Sequence, residues 1–157
     1  MKYSDFLHTK RKSHIDSGFD IDESNLSDHL FDFQKYAVKW SLKRGKAALF
    51  EDCGLGKTIQ QLEWSMRVNE YTNKPVLILA PLAVVGQTID ECKDFYGYDL
   101  VIAGSTKYAH GIEITNYEQL DNINVSQYSG VVLDESSILK GKDSKTKNKL
   151  YNSCNHR

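Results

Sequence analysis

Lys57 and Thr58, preceded by Gly54 and Gly56, and the adjacent acids Asp134 and Glu135 are the residues whose types and spacing promise chemistry. In Glu51-Asp52-Cys53-Gly54-Leu55-Gly56-Lys57-Thr58 a glycine-rich turn ends in Gly-Lys-Thr. Such a turn lets successive backbone N–H groups point at an anion, while the lysine reaches the outer phosphates and the threonine hydroxyl ligates Mg²⁺. The general phosphate-loop pattern has a glycine where Glu51 stands here. Asp134 and Glu135 follow the apolar run Gly130-Val131-Val132-Leu133. An acid delivered at a strand end can help hold Mg²⁺, and its neighbour can orient or activate an attacking water. Together the two stretches predict a site for a Mg–nucleoside triphosphate built on Lys57, Thr58 and Asp134.

Such a site needs strand, loop and helix in that order. Ala47-Ala48-Leu49-Phe50 reads as a short strand feeding the loop, and Ile59, Leu62 and Met66 resume helical spacing after Thr58. Upstream, Phe33, Tyr36, Ala37 and Trp40 fall on one face of a helix with Asp32 as its predicted N-cap and Gly45 just past its end. Downstream, Pro75-Val76-Leu77-Ile78-Leu79-Ala80 is a nearly continuous apolar run, as expected of a strand buried on both faces. Val85, Thr88, Ile89 and Cys92 mark a further helix. Leu100–Ala103 and Ile112–Thr115 read as strands, and Tyr117–Leu120 as a short helix. Alternating strands and helices predict an α/β fold: a mostly parallel central sheet with helices on both faces and ligands at the carboxyl ends of its strands.

The chain has 157 residues, the size of one domain, and its 40% hydrophobic and 26% charged residues are those of a globular protein. A net charge of -1 gives no global basic field, so any nucleic-acid contact is local. Cys53, Cys92 and Cys154 lack a C-x-x-C pair, and the histidines lack metal-ligand spacing. A reducing cytoplasm fits this cysteine usage, and no apolar run is long enough to span a bilayer. Lys10-Arg11-Lys12, and the run Lys140, Lys142, Lys145, Lys147 and Lys149, read as solvated faces or phosphate contacts. Trp40 and Trp64 read as helix-packing residues.

These motifs resemble the first RecA-like lobe of a superfamily 2 helicase, in its Swi/Snf-related and phage-type DEAD/DEAH-like branch, from Phe31 onward. Phe31-Asp32-Phe33-Gln34-Lys35-Tyr36 is similar to the segment in which a glutamine reads the adenine edge, which implies that role for Gln34. Glu51–Thr58 is similar to motif I, whose Swi/Snf-type form has an acid at the position of Glu51. Leu79-Ala80-Pro81-Leu82-Ala83-Val84-Val85 resembles motif Ia, and Ile114-Thr115-Asn116-Tyr117-Glu118 a motif Ib region. Asp134-Glu135-Ser136-Ser137 stands where the family has Asp-Glu-x-His or Asp-Glu-x-Asp, with Ser137 departing from both.

The resemblance implies a P-loop ATPase lobe that uses ATP and Mg²⁺ and engages DNA, or RNA, in a bacterial or phage-infected cell. Gln34, Gly54, Leu55, Gly56, Lys57, Thr58 and Asp134 would bind nucleotide, Thr58 and Asp134 would hold Mg²⁺, and Glu135 with Lys57 would serve catalysis. Pro81, Leu82, Ser105 and Thr106 would lie along nucleic acid. Residues 1–30 are expected to be an accessory segment and 31–157 the lobe, ending before motif III. The family's second lobe, with its arginine finger, would then lie outside this sequence. Because such a finger contributes ~10³ or more in rate, the lobe alone is expected to hydrolyse ATP slowly. The alternative is a stand-alone, non-catalytic nucleotide-binding or interaction module. A small-molecule P-loop kinase fits less well, since no lid or acceptor site is evident.

Overall fold

The computed structural model describes residues 16–104, 111–137 and 148–150. Three α-helices, α1 (Asp32–Arg44), α2 (Lys57–Thr72) and α3 (Leu82–Tyr96), and four strands, β1 (Val76–Ala80), β2 (Val101–Ile102), β3 (Ile112–Asn116) and β4 (Gly130–Leu133), make up the described framework. Short 3-10 turns at Tyr117–Asn122 and Val125–Gln127 join β3 to β4. All strand pairs are parallel, in the order β2-β3-β1-β4.

β1 is the central strand, and every one of its residues is buried. Successive side chains of a strand point to opposite faces. Leu77 and Leu79 accordingly join Tyr117, Leu120, Ile123, Val125 and Tyr128 on one side. Ile78 and Ala80 join Leu62 of α2, Cys92 of α3 and Ile112 and Ile114 of β3 on the other. The register pairs Ala80 with Asn116 and Leu79 with Leu133. Pro81, Tyr117 and Asp134 therefore emerge together at the carboxyl edge of the sheet, the edge at which open α/β sheets bind ligands.

α1 forms where expected and ends at Gly45, whose φ of +72° suits glycine. Two details differ from expectation. The N-cap is Phe31, with Asp32 inside the first turn, where its carboxylate still faces the positive end of the helix. The buried face is also different: Gln34, Val38, Ser41 and Leu42 point inward, whereas Tyr36 is 68% exposed and Phe33 and Trp40 also face solvent. Val38 and Leu42 are covered by Leu26 and Leu30 of the preceding segment and by Ile59 and Val68 of α2, which leaves the aromatic stripe outside. There Phe31 stacks against Phe33, and the Arg44 guanidinium lies 5.6 Å from the centre of the Trp40 ring.

Residues 16–30 share this core. The N–H groups of Ser17, Gly18 and Phe19 donate to the carbonyls of Arg44, Lys43 and Leu42, satisfying the open end of α1. Asp16, Asp20, Glu23 and Asp28 pair in turn with Arg44, Lys43, Lys39 and Lys35. Exposed ion pairs of this kind contribute little individually, so the buried Leu26 and Leu30 carry most of the attachment. The basic triplet at Lys10 lies outside the described residues.

The expected strand over Ala47–Phe50 is absent from the described sheet. The run is exposed, with Phe50 at 95%, and it makes no ladder hydrogen bonds. Its two large side chains, Leu49 and Phe50, reach none of the core clusters, so burial gives the run no reason to pair.

Candidate nucleotide site

Gly54 and Gly56 carry the turn of the expected phosphate loop, with φ of +82° and +70°, in the left-handed region that L side chains avoid. Gly56 is the N-cap of α2, so the loop delivers Lys57 and Thr58 into the first helical turn, where unpaired N–H groups and the helix dipole favour an anion. Around this turn the side chains form a brace. Gln34 accepts from the Phe31 N–H at 2.9 Å and donates to the Leu55 carbonyl at 2.9 Å. Gln60 donates to the Glu51 carboxylate at 2.8 Å and to the Leu55 carbonyl at 3.2 Å. Glu51, in place of the usual glycine, thus turns its side chain toward α2 and helps fix the loop.

A methyl group on Gly56 would sit 2.5 Å from Gln34 Nε2, whereas one on Gly54 would meet nothing within 4 Å. Both substitutions incur backbone strain of about 1–2 kcal/mol. Only Gly56→Ala also breaks the brace, so urea unfolding should show it to be the more destabilised of the two, with the larger loss of nucleotide affinity.

Lys57 Nζ lies 2.9 Å from the Asp52 carbonyl and 3.3 Å from that of Glu51. Among the described residues it forms no ion pair, so its charge is not neutralised by a carboxylate and the two carbonyls can be exchanged for phosphate oxygens. Asp134 faces the same helix, because Gln61 Nε2 donates to its Oδ1 at 2.9 Å. Thr58 precedes Gln61 by three positions, and residues so spaced share a helix face. The threonine hydroxyl and the acid expected to hold a divalent cation therefore belong to one side of α2. A hydroxyl, a carboxylate and an uncompensated ammonium beside a helix N-terminus form a donor set that fits a Mg–nucleotide.

The turn carrying Asp134 and Glu135 is held from three directions. The Asp134 N–H donates to the Leu79 carbonyl at 2.8 Å, and the Tyr117 hydroxyl donates to the Asp134 carbonyl at 2.5 Å. Gln61 takes the side chain. Glu135 has a φ of +52°, an uncommon conformation for a residue other than glycine, and its carboxylate is exposed. Burial, and then the charges of Asp134 and Glu135, push the Tyr117 phenol above its ordinary range, which keeps it a proton donor. Ser137, the departure from the family motif, lies at the limit of hydrogen bonding to Glu135, 3.5 Å from Oε2.

Pro81 caps α3 at the carboxyl end of β1, and Leu82 beside it is 69% exposed. Ser105 and Thr106 lie outside the described residues, as do Lys140, Lys142, Lys145 and Lys147. Lys149 is turned inward, donating to the Leu120 carbonyl at 2.6 Å. No cluster of His, Cys, Asp and Glu fit for a metal ion occurs among the described residues. No described helix is long and apolar enough to cross a membrane. Gln60, Gln61 and Tyr117 were not singled out by sequence reasoning for this site. Only the three-residue step from Thr58 to Gln61 hints at the contact of Gln61 with Asp134.

Cys53 is exposed in the loop, and Cys92 is buried with its thiol pushed up to about 11 by burial and by Asp99. In a Cys154→Ser background, an alkylating probe near neutral pH should therefore label Cys53 and spare Cys92. Mg-ATP should slow the labelling, which mass spectrometry of the peptides would report.

No family model matches the chain. It is 38% identical over 69 residues, 40% of this chain, to YwqA of Bacillus subtilis (strain 168), assigned as an ATP-dependent helicase/translocase, and the match spans 8% of that protein. The UvsW helicase from bacteriophage T4 superposes with a TM-score of 0.68 at 18% identity, over 98% of this chain and 56% of UvsW. The Sulfolobus solfataricus SWI2/SNF2 ATPase core in complex with dsDNA superposes with a TM-score of 0.68 at 19% identity, over 83% of this chain and 31% of that core. The chain thus spans only part of each protein it resembles. Its parallel sheet, with a glycine loop and a strand-end acid meeting at one edge, shares the α/β fold of these helicase and ATPase cores.

Proposed function

We propose that the chain is the ATP-binding lobe of a nucleic-acid-dependent ATPase, a helicase or DNA translocase, which acts together with a second RecA-like lobe. The observation that carries this reading is the juxtaposition of two sequence-distant stretches: Gln61, one turn beyond the Gly-Lys-Thr loop, grips the carboxylate of Asp134. Lys57 would bind the β- and γ-phosphates, and Gly54, Leu55 and Gly56 would shape the cradle. Thr58 and Asp134 would hold Mg²⁺, whose chemistry is to neutralise phosphate charge. Glu135, exposed on its left-handed turn, would position the attacking water. Gln34 would read the adenine edge with the amide hydrogen and lone pair left over from its contacts with Leu55 and Phe31. Pro81 and Leu82, with Ser105 and Thr106, would face nucleic acid, DNA or RNA, along the carboxyl edge of the sheet. A cytoplasmic setting in a bacterial or phage-infected cell suits this role.

Phosphate release measured with duplex DNA tests the proposal. The isolated chain should turn over slowly, and a second lobe supplied in trans should restore DNA-stimulated hydrolysis. A full hydrolysis rate from the isolated chain, insensitive to DNA, would refute the two-lobe reading. The exposure of Glu135 and the departure at Ser137 favour a second reading, a nucleotide-binding module without sustained turnover. On that reading ATP binds, but no added lobe or DNA raises the rate.

A further inference from the structure

The acid turn is anchored to two elements that the phosphate-loop chemistry does not by itself require. Gln61 lies in α2, 73 positions before Asp134, and spends its side-chain amide on Oδ1 at 2.9 Å. Tyr117 opens the 3-10 turn after β3 and directs its hydroxyl to the main-chain carbonyl of Asp134 at 2.5 Å. The tyrosine ring is fixed, being 6% exposed and packed in a cluster with Leu77, Leu79 and Tyr128. Glu135, the next residue, holds a φ of +52°, a conformation that costs energy and persists where its surroundings dictate it.

We infer that Gln61 and Tyr117 are the positioning residues of this site, holding respectively the side chain and the main chain of Asp134 so that the acid pair is preset for a divalent cation. The inference rests on the nucleotide site proposed above. With one oxygen of Asp134 occupied by Gln61, the carboxylate cannot rotate freely, and its second oxygen is left for the cation. With the Asp134 carbonyl held by Tyr117, the peptide leading into Glu135 cannot flip, which keeps the left-handed turn. The two tethers come from opposite sides of β1, one from α2 and one from the end of β3. A shift of either element is therefore transmitted to the acids.

Gln61→Met keeps the length of the side chain and removes the donor; Tyr117→Phe keeps the ring and removes the hydroxyl. Affinity for a fluorescent ATP analogue is measured with Mg²⁺ and with EDTA, and amide hydrogen exchange of the Asp134–Glu135 turn is measured without nucleotide. Loss of a group that orients a metal ligand lowers metal affinity by roughly 10- to 100-fold. Each variant should thus lose about tenfold or more of the tightening by Mg²⁺, with the EDTA affinity unchanged, and Tyr117→Phe should also exchange faster at Glu135. A merely structural role would shift the unfolding midpoint and leave the ratio of the two affinities alone. If wild type binds nucleotide and both variants keep its Mg²⁺ dependence and exchange rate, the inference is overturned while the proposed function stands. If wild type binds nucleotide under neither condition, the proposed function falls and takes the inference with it.

Discussion

Lys57→Ala is expected to weaken binding of Mg-ATP by about 100-fold while leaving the fold intact. Among the described residues the ammonium hydrogen-bonds only to the carbonyls of Glu51 and Asp52, in an exposed loop where water can replace it. Its removal should therefore change unfolding free energy by no more than about 0.5 kcal/mol. With nucleotide bound, the same ammonium would make charge-assisted hydrogen bonds to phosphate oxygens, each contributing about 1.5–3 kcal/mol. Loss of two such bonds, at about 3 kcal/mol together, corresponds to roughly two orders of magnitude in affinity. Equilibrium titration of the analogue, paired with urea unfolding of the same variant, checks both halves. A variant that binds normally would remove the loop from the site, and one that unfolds would show that Lys57 has a structural role the contacts do not account for.

Glu63→Ala should do the reverse, with a large loss of stability. Glu63 is fully buried one turn below the loop on the inner face of α2. Its carboxylate accepts the Ser27 N–H at 3.1 Å and lies 3.1 Å from Arg67 Nε, while the other arm of Arg67 reaches Glu70 at 2.8 Å. The half-buried Tyr96 phenol is pushed up by desolvation and next by the Glu63 charge, which places a further polar group in the same cluster. Removing Glu63 takes away the buried carboxylate shared by the Ser27 N–H and the inner side of Arg67, leaving the arginine with the exposed Glu70, and loss of one partner of a buried ion pair costs about 3–5 kcal/mol. For a domain of this size that amounts to a fall of roughly 10 °C in Tm. Glu70 is exposed and, among the described residues, pairs with the outer side of the arginine, so Glu70→Ala should change stability by about 0.5 kcal/mol or less. Differential scanning calorimetry of the two variants separates these outcomes; equal shifts would mean that the attachment of residues 16–30 through Ser27 does not depend on Glu63.

The glycine turn and the strands that end beside it were legible because their signals are local. Left-handed turns demand Gly54 and Gly56, and the apolar runs at Val76 and Gly130 fix strands that end at the acids. The inward face of α1 was not legible. Phe33, Tyr36 and Trp40 form one stripe at helical spacing, and Gln34, Val38 and Leu42 form another. Which stripe is covered depends on Leu26 and Leu30 of the segment before α1, a tertiary fact with no signal in the helix itself. Ala47–Phe50 misled for a related reason, since a short apolar run becomes a strand only where a ladder and two covered faces await it. Gln61 and Tyr117 escaped notice because their partner, Asp134, is far along the chain and becomes a neighbour only once the sheet has formed. Glu51 ran the other way: an apparent defect in the motif proved to be a carboxylate held by Gln60.

The central claim is that the loop at Lys57 and the strand end at Asp134 form one site for a Mg–nucleotide. Calorimetric titration of ATP into wild type and Asp134→Asn, each with Mg²⁺ and with EDTA, tests it most directly. The account predicts one saturable site per chain, tightened by Mg²⁺ in wild type and equally weak under both conditions in Asp134→Asn. Absence of saturable binding to wild type, or a Mg²⁺ dependence that survives in Asp134→Asn, would contradict it.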